Sequence, residues 1–267
     1  MPSFNAISPE KLLRLMGTPA APLIIDVRGD ADELLPASIQ RSPDDAAEWA
    51  DALPEAPVVV ACGDARGLSP GVAAQLRCEG VEAEILEGGF DAWRMAGGPT
   101  VPAAKLPRRD AAGRTTWVTR ARPKVDRIAC PWLIRRFVDP QALILFVAPG
   151  EVALVAERFG ATPFDVEGAA WSDRDGLCTF DALINDLDLG SFPALPRLAE
   201  IVRGADTGKP ELTPQSAGLL AVSLGLSRMH SDDLDQLEDG MVLYDALYRW
   251  CRDAIDETHD APAHRRR

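Results

Sequence analysis

The sequence predicts an α/β protein in two parts: an N-terminal parallel sheet with flanking helices, followed by a mostly helical α+β domain. Two patterns predict this. In the first half, short β-branched apolar runs alternate with helical patterns, which is typical of strands buried on both faces of a parallel sheet. In the second half, amphipathic helical patterns outnumber strand-like runs. A hydrophobic content of 46% and a charged content of 26% are ordinary for globular proteins and exclude wholesale disorder or a fibre.

A segment rich in proline, glycine and charge separates the two halves. Residues 106–116 have no apolar period, which predicts a linker. We therefore predict one domain at residues 1–105 and a second at residues 117–256. Residues 257–267 are predicted to form a disordered tail.

The elements of the first half follow from residue type. Ser69 followed by Pro70 is typical of an N-cap and a first helical position, and Gly80 is typical of a helix end. The apolar runs and the helical patterns alternate, predicting strands at residues 22–27, 56–61 and 81–86 and helices at residues 46–53, 69–79 and 90–96.

The second half contains two strand candidates, at residues 117–120 and 142–147. Cys130-Pro131 predicts the start of a helix, and residues 151–159 have a helical pattern. Further helices are predicted after a Thr179 cap, at residues 217–226 after Thr213-Pro214, and in a last segment that begins at Ser231-Asp232-Asp233. That last helix carries an apolar stripe at spacings of three and four, which predicts a packing face: Leu234, Leu237, Met241, Tyr244, Tyr248, Cys251 and Ile255.

One cysteine stands where open α/β sheets bind ligands. Cys62 directly follows the central predicted strand, at its carboxyl end. Backbone N–H groups and the positive end of the next helix favour a thiolate there, and the thiolate is the nucleophilic form of cysteine. Arg66 is expected to add a planar donor fork for an anion. The remaining residues of this predicted anion-binding loop are Gly63, Asp64, Ala65, Gly67 and Leu68.

The first half resembles a rhodanese-type sulfurtransferase domain through LIIDVR, VVVAC, GVAAQL and LEGGFDAW, which occur in the same order. The resemblance implies that Cys62 takes a sulfane sulfur from a small donor, holds it as a persulfide and passes it to a thiol or to cyanide. Ala65 replaces a glycine that is common in the family. Leu68 stands where a Cys-x5-Arg phosphatase needs arginine, which argues against phosphatase chemistry. An inactive fold used as an interaction module is the alternative.

The second half resembles the C-terminal domain of the chromate-resistance protein B family. The resemblance implies a role in bacterial chromate resistance, or in thiol or oxyanion stress, and chromate as a ligand. The alternative function is a chromate-responsive regulator, in which the first domain binds an anion or a partner. The residues that carry the resemblance lie in WVTRARPKVDRIACPWLIRRFVDP, PFDVEG, CTFDALI, IVRGADT, SLGLS and GMVLYDALYRWCR.

Charge and cysteine usage limit the partners. A net charge of −13 argues against nucleic acid, although the segment from Arg108 to Arg136 has nine basic and two acidic residues. The longest strongly apolar run, Ala142 to Ala148, is far too short to span a membrane. Five dispersed cysteines without a CxxC pair, and a start without a secretory pattern, predict a cytoplasmic protein. The sequence does not specify an oligomeric state.

Arginines and aspartates within apolar context predict a second anion pocket, because guanidinium forks suit tetrahedral oxyanions. Ion pairs between helices are the alternative. The candidates are Asp126, Arg127, Arg135, Arg136, Arg203 and Asp206.

An acidic stretch, residues 165–178, predicts a divalent metal as the one cofactor of the C-terminal domain. Its candidate ligands are Glu167, Asp173 and Cys178: carboxylates suit a hard cation, and a thiolate would favour a redox metal. Members of the family that this half resembles often have histidine where this chain has Asp173. A solvated acidic loop is the alternative. His230, His259 and His264 are assigned no role.

Overall fold

The computed structural model describes residues 5–110 and 112–258; the predicted tail lies outside the described residues from position 259 onward. The first domain contains a five-stranded parallel sheet in the order β1-β6-β5-β2-β4, and a small antiparallel pair, β3 with β7. Its elements are β1 (Ala6–Ile7), α1 (Pro9–Leu15), β2 (Leu23–Asp26), β3 (Glu33–Leu34), β4 (Ser38–Gln40), α2 (Ala46–Ala50), β5 (Val58–Ala61), α3 (Leu68–Cys78), β6 (Ala83–Leu86), α4 (Gly89–Met95) and β7 (Val101–Pro102).

The predicted strands of this domain form the middle of the sheet. All four residues of β2 and all four of β5 are buried, as expected for strands covered on both faces. Five elements were not predicted from the sequence, and the strands among them have only two or three residues each: β1, β3, β4, β7 and α1. These strands are too short to show a hydrophobic period, and the seven residues of α1 span only about two helical turns.

The second domain contains a three-stranded parallel sheet in the order β10-β8-β9, surrounded by helices. Its apolar core includes the fully buried Trp117 and Trp132. A π-helical turn at Trp250–Ala254 continues its last helix. Its elements are β8 (Thr116–Arg120), α5 (Asp126–Phe137), β9 (Leu143–Val147), α6 (Val152–Phe159), β10 (Thr162–Pro163), α7 (Thr179–Asp186), α8 (Ala194–Asp206), α9 (Ser216–Met229) and α10 (Asp233–Arg249).

The apolar stripe of α10 packs as predicted over most of its length. Leu237, Tyr244 and Cys251 are among its buried members, whereas Leu234 and Ile255 at its two ends are exposed. Asp232 is the N-cap, and its carboxylate accepts hydrogen bonds from the backbone N–H groups of Leu234 and Asp235.

Helix α5 begins four residues before its predicted start. It begins at Asp126, and Pro131 lies inside it. Proline cannot donate the backbone hydrogen bond of a helix interior, so the sequence analysis assigned it to the first turn. Tertiary burial of α5 overrides that local preference, since Asp126 and every residue from Ile128 to Ile134 are buried.

Three predicted caps are also wrong. Gly67 rather than Ser69 caps α3, and Cys178 rather than Thr179 caps α7. Helix α9 begins at Ser216 after Gln215, although the Thr213 hydroxyl lies 2.8 Å from that of Ser216.

The two domains share one apolar core. This core includes Met16 and Trp93 of the first domain and Phe137 and Tyr248 of the second. The predicted linker is packed between them, because Arg109 donates to the carbonyl of Ser38 and also lies 3.5 Å from Asp139. In the described part of the chain, no helix is both long and apolar enough to cross a membrane.

Candidate functional site

The predicted nucleophile lies at the carboxyl end of the sheet. Cys62 directly follows β5, and its Sγ is 3.0 Å from Oγ of Ser69 in the first turn of α3. Both residues are buried, at 3% and 0% exposure. The Ser69 hydroxyl can therefore donate to a thiolate that is shielded from water and faces a helix N-terminus.

The loop over Cys62 is held by helix α4. The N–H of Phe90 donates to the Cys62 carbonyl at 2.8 Å, and the N–H of Asp91 donates to the Gly63 carbonyl at 2.9 Å. Ala65 and Gly67 have positive φ angles of 58° and 74°, which curl the loop between β5 and α3. The first-turn donors of α4 thus fix the position of the loop backbone.

Arg66 does not face Cys62 in this structure. Its side chain is 88% exposed and lies 3.9 Å from the Asp64 carboxylate. Its backbone N–H donates to Oδ1 of Asp64 at 3.0 Å. Leu68 is half exposed and begins α3. Anion binding was predicted for Arg66 from the sequence, whereas Ser69 was not predicted to be a partner of the thiol.

We expect Ser69→Ala to slow reactions of the Cys62 thiolate about tenfold or more, because a hydrogen bond to a charged group contributes about 1.5–3 kcal/mol. The rate of alkylation of Cys62 at fixed pH, followed by peptide mass spectrometry, measures the effect. Ser69→Thr retains a hydroxyl and should recover part of the rate. An unchanged rate in Ser69→Ala would contradict a role of the hydroxyl.

A second group of polar residues lies in the C-terminal domain. One carboxylate oxygen from each of Asp126, Asp173 and Asp206 lies within 4.8 Å of the others. These residues come from the first position of α5, from the loop before α7 and from the last position of α8. The fold therefore brings together three carboxylates that are far apart in the sequence.

Burial and mutual repulsion act on these carboxyl groups. Burial, and then the charges of Asp206 and Asp165, raise the pKa of Asp126 well above its ordinary value. Burial also raises the pKa of Asp206 to about 6. The backbone N–H of Phe180 donates to Oδ2 of Asp126 at 3.1 Å, which partly offsets the burial.

Asp165 lies beside this group of carboxylates and pairs with two arginines. Its Oδ2 lies 3.1 Å from the guanidinium of Arg120 and 3.2 Å from that of Arg127. The Thr179 hydroxyl links Asp165 to Asp173, at 3.3 Å and 2.9 Å from their respective carboxylates. From the sequence, Thr179 was predicted to be a helix cap, and Asp165 was placed in the acidic stretch without being named as a metal ligand.

The predicted metal ligands separate in the structure. Asp173 belongs to the carboxylate group, whereas Glu167 lines an adjoining groove of about 350 Å³ together with Asp165 and Asp173. The Cys178 thiol donates to Oδ2 of Asp181 at 3.3 Å. Burial, reinforced by the charge of Asp126, raises the pKa of the Cys178 thiol far above its ordinary value.

The predicted six-residue anion pocket does not form as one site. Asp126 and Asp206 join the carboxylate group, and Arg127 pairs with Asp165. The other three arginines form the interhelical ion pairs that were the alternative: Arg135 with Glu238, Arg136 with Asp245, and Arg203 with Asp181.

The basic segment from Arg108 to Arg136 is mostly neutralised. Six of its nine cations form ion pairs with carboxylates: Arg109, Arg114, Arg120, Arg127, Arg135 and Arg136. Arg122 donates to the backbone carbonyls of Ser227 and His230. This pairing reduces the positive field that a nucleic acid would need.

Comparisons with known proteins agree with both halves of the chain. The sequence profile of the family described as "ChrB, C-terminal domain" matches residues 117–251, and that of the rhodanese-like domain matches residues 8–96. Protein ChrB of Cupriavidus metallidurans is 35% identical over 156 residues, which cover 57% of this chain and 46% of that protein. The chain thus spans about half the length of this curated relative.

Solved structures described as rhodanese-related match about a third of the chain. A rhodanese-related protein from Thermoplasma volcanium is 22% identical, with a TM-score of 0.34, and the match covers 37% of this chain and 98% of that one. A rhodanese homologue from Thermus thermophilus is 30% identical, with a TM-score of 0.29, and the match covers 32% and 96%.

Proposed function

Since the chain belongs to the family of the ChrB C-terminal domain and carries a rhodanese-like domain before it, we propose that it is a sulfurtransferase that forms a persulfide on Cys62 and acts in chromate resistance. The observation that carries the proposal is the environment of one thiol. Cys62 lies at the carboxyl end of a parallel sheet, within 3.0 Å of a buried hydroxyl and next to a helix N-terminus.

The reaction consists of two displacements at sulfur. The Cys62 thiolate attacks the outer sulfur of thiosulfate, an S–S bond forms to Sγ, and sulfite leaves with the electron pair of the broken S–S bond. An acceptor thiolate then attacks the outer sulfur of the persulfide, which returns Cys62 as a thiolate and gives a new persulfide. No external oxidant or reductant is required, because one S–S bond replaces another in each step.

The neighbouring groups have defined tasks in this scheme. The Ser69 hydroxyl donates to the negative sulfur, and the N-terminus of α3 supplies a favourable potential. The contacts of Phe90 and Asp91 with the loop carbonyls keep this arrangement in place before the donor arrives. The exposed Arg66, 3.9 Å from the Asp64 carboxylate, would add a cation to the loop after Cys62 that attracts an anionic donor.

The acceptor that we propose is a low-molecular-weight thiol such as glutathione. The resemblance associates the family with chromate resistance, and reduction of chromate consumes such thiols. A small acceptor also suits the buried position of Cys62, which is 3% exposed. A regulator that binds DNA receives less support, because most cations of the basic segment are engaged in ion pairs.

The deciding experiment compares the wild type with Cys62→Ser and Cys78→Ser. We expect the wild type and Cys78→Ser to transfer sulfur from thiosulfate and to gain the mass of one sulfur atom, whereas Cys62→Ser does neither. Cys78 is the matched control, because it is an exposed cysteine at the end of α3 and reports adventitious persulfidation. A folded wild-type protein without adduct or turnover, tested with thiosulfate and with glutathione persulfide, would overturn the proposal.

A further inference from the structure

We propose that the C-terminal domain binds one hard divalent cation, of the Mg²⁺ or Mn²⁺ type, between the carboxylates of Asp126, Asp173 and Asp206. One oxygen of each lies within 4.8 Å of the others. Hard cations bind oxygen ligands at about 2.0–2.6 Å, so oxygens around one ion lie at most about 4–5 Å apart. The spacing of the three oxygens therefore suits a shared ion.

An unpartnered buried oxygen gives independent support for the site. Asp126 is 1% exposed, and its Oδ1 has no hydrogen-bond partner among the described residues. The other oxygen of the same carboxylate accepts the Phe180 N–H, which orients the group. A buried carboxylate oxygen without a partner is costly, and a cation between the three carboxylates would supply the missing interaction.

The charges of the three carboxylates are only partly offset by basic side chains, since Arg127 acts on the charge of Asp206 without forming a direct ion pair with it. Within residues 5–110 and 112–258, none of the three forms an ion pair with lysine or arginine. The nearby guanidinium groups of Arg120 and Arg127 pair with Asp165 instead. A divalent cation would offset the repulsion between carboxylates that come from three separate elements.

The donor set favours a hard ion over a soft one. All three candidate ligands are carboxylates, and the neighbouring thiol of Cys178 donates to Asp181 and also lies within hydrogen-bonding reach of Asp126. The adjoining groove of about 350 Å³ reaches Asp173 and gives water access to the remaining coordination positions. Thr179 holds Asp173 in place through its hydroxyl and in turn contacts Asp165.

The test uses the full chain after treatment with a chelator. Mn²⁺ is titrated and followed by calorimetry and by the electron paramagnetic resonance signal of free Mn²⁺, and thermal unfolding is recorded with and without the ion. We expect one ion per chain and a higher unfolding temperature with Mn²⁺. Asp126→Asn and Asp173→Asn should each weaken binding at least about tenfold.

Asp175→Asn is the matched control. It removes the same charge from the same loop, and its positive φ of 53° is one that asparagine tolerates. Asp175 is exposed and lies outside the carboxylate group, so the affinity of Asp175→Asn for Mn²⁺ should equal that of the wild type. Asp126→Asn is expected to fold, since its amide oxygen can still accept the Phe180 N–H and the repulsion with Asp206 decreases.

Three results would overturn the proposal. One is no uptake of Mn²⁺, Mg²⁺ or Ca²⁺ at millimolar concentration by the folded wild type. A second is an unchanged affinity for Mn²⁺ in both Asp126→Asn and Asp173→Asn. Asp173 is exposed, so Asp173→Asn is expected to fold and its affinity can be measured. The third is stoichiometric uptake of Zn²⁺ alone. Because Cys62→Ser leaves these carboxylates intact, it should bind Mn²⁺ like the wild type whether or not the chain transfers sulfur.

Discussion

Gly89→Ala is expected to disable the Cys62 loop and to destabilise the first domain. A Cβ at this position would lie 2.4 Å from the Cys62 carbonyl oxygen, 2.5 Å from that of Gly63 and 2.8 Å from the Ala65 nitrogen. All three are backbone atoms, so no side-chain rotation relieves the clash. The φ of +62° adds the cost of a left-handed conformation for a residue with a Cβ.

The magnitude follows from these two effects. Overpacking and the left-handed conformation together cost about 2 to 5 kcal/mol of unfolding free energy. Separation of α4 from the loop would move the sulfur, and a displacement of an ångström lowers a catalytic rate about a hundredfold. We therefore expect sulfur transfer by folded Gly89→Ala protein, measured below its unfolding temperature, to fall by about that factor.

Gly97→Ala separates the clash from the backbone strain. Gly97 also has a positive φ, of 74°, but a Cβ there meets no atom within 4 Å. The unfolding free energy of this variant should fall by about 1–2 kcal/mol, and its sulfur-transfer activity should be unchanged. Urea unfolding and thiosulfate turnover are measured for both variants. If the two variants had equal unfolding free energies and equal turnover, the clash at position 89 would have no effect, and the contact of α4 with the Cys62 loop would not be needed for activity.

The sheet of the first domain could be predicted because its central strands carry their own signal. Runs such as Val58–Ala61 are β-branched and entirely buried, so local preference and tertiary environment agree. The position of Cys62 at the end of this strand could be predicted for the same reason. The edge strands have two or three residues and are defined by their neighbours, so the sequence carries no separate signal for them.

Two of the errors at helix starts have a common cause. Ser69 and Thr179 are typical cap residues, but each hydroxyl bonds a group from a distant position or a neighbouring loop. A single sequence shows the local alternative and not the tertiary partner. Glycine and cysteine then occupy the cap positions, as at Gly67 and Cys178. The wrong caps at Ser69 and Thr179 are thus residues that contact the two candidate sites.

The carboxylate group could be predicted only in part. Asp126, Asp173 and Asp206 were each singled out, but they were assigned to two different sites. The sequence distance between α5 and α8 hides their proximity, which depends on how the helices pack. Arg135 and Arg136 were misleading because they lie in the same helix as Asp126 yet face α10.

Asp245→Ala should have the largest effect on the stability of the second domain. The Asp245 carboxylate accepts the indole N–H of the buried Trp132 at 2.8 Å and two N–H donors of the Arg136 guanidinium, from Nε at 2.8 Å and from Nη2 at 2.7 Å. It thereby joins α10 to α5 with a bidentate ion pair that is mostly buried. Removal leaves a guanidinium and an indole donor without their acceptor, which costs about 3–5 kcal/mol.

Glu238→Ala is the matched control because it removes the partner of Arg135, the adjacent residue in α5, at the same interface with α10. Glu238 is 66% exposed, so solvent screens its 2.7 Å ion pair and the loss should be under about 1 kcal/mol. Asp245→Asn should fall between the two, since its amide oxygen can serve Trp132 or Arg136 without the negative charge. The midpoints of urea unfolding, compared between variants whose unfolding free energy has the same dependence on urea concentration, measure these losses of stability. If Asp245→Ala lost no more unfolding free energy than Glu238→Ala, water would have replaced the carboxylate. Burial of the ion pair would then contribute little to the packing of α10 against α5.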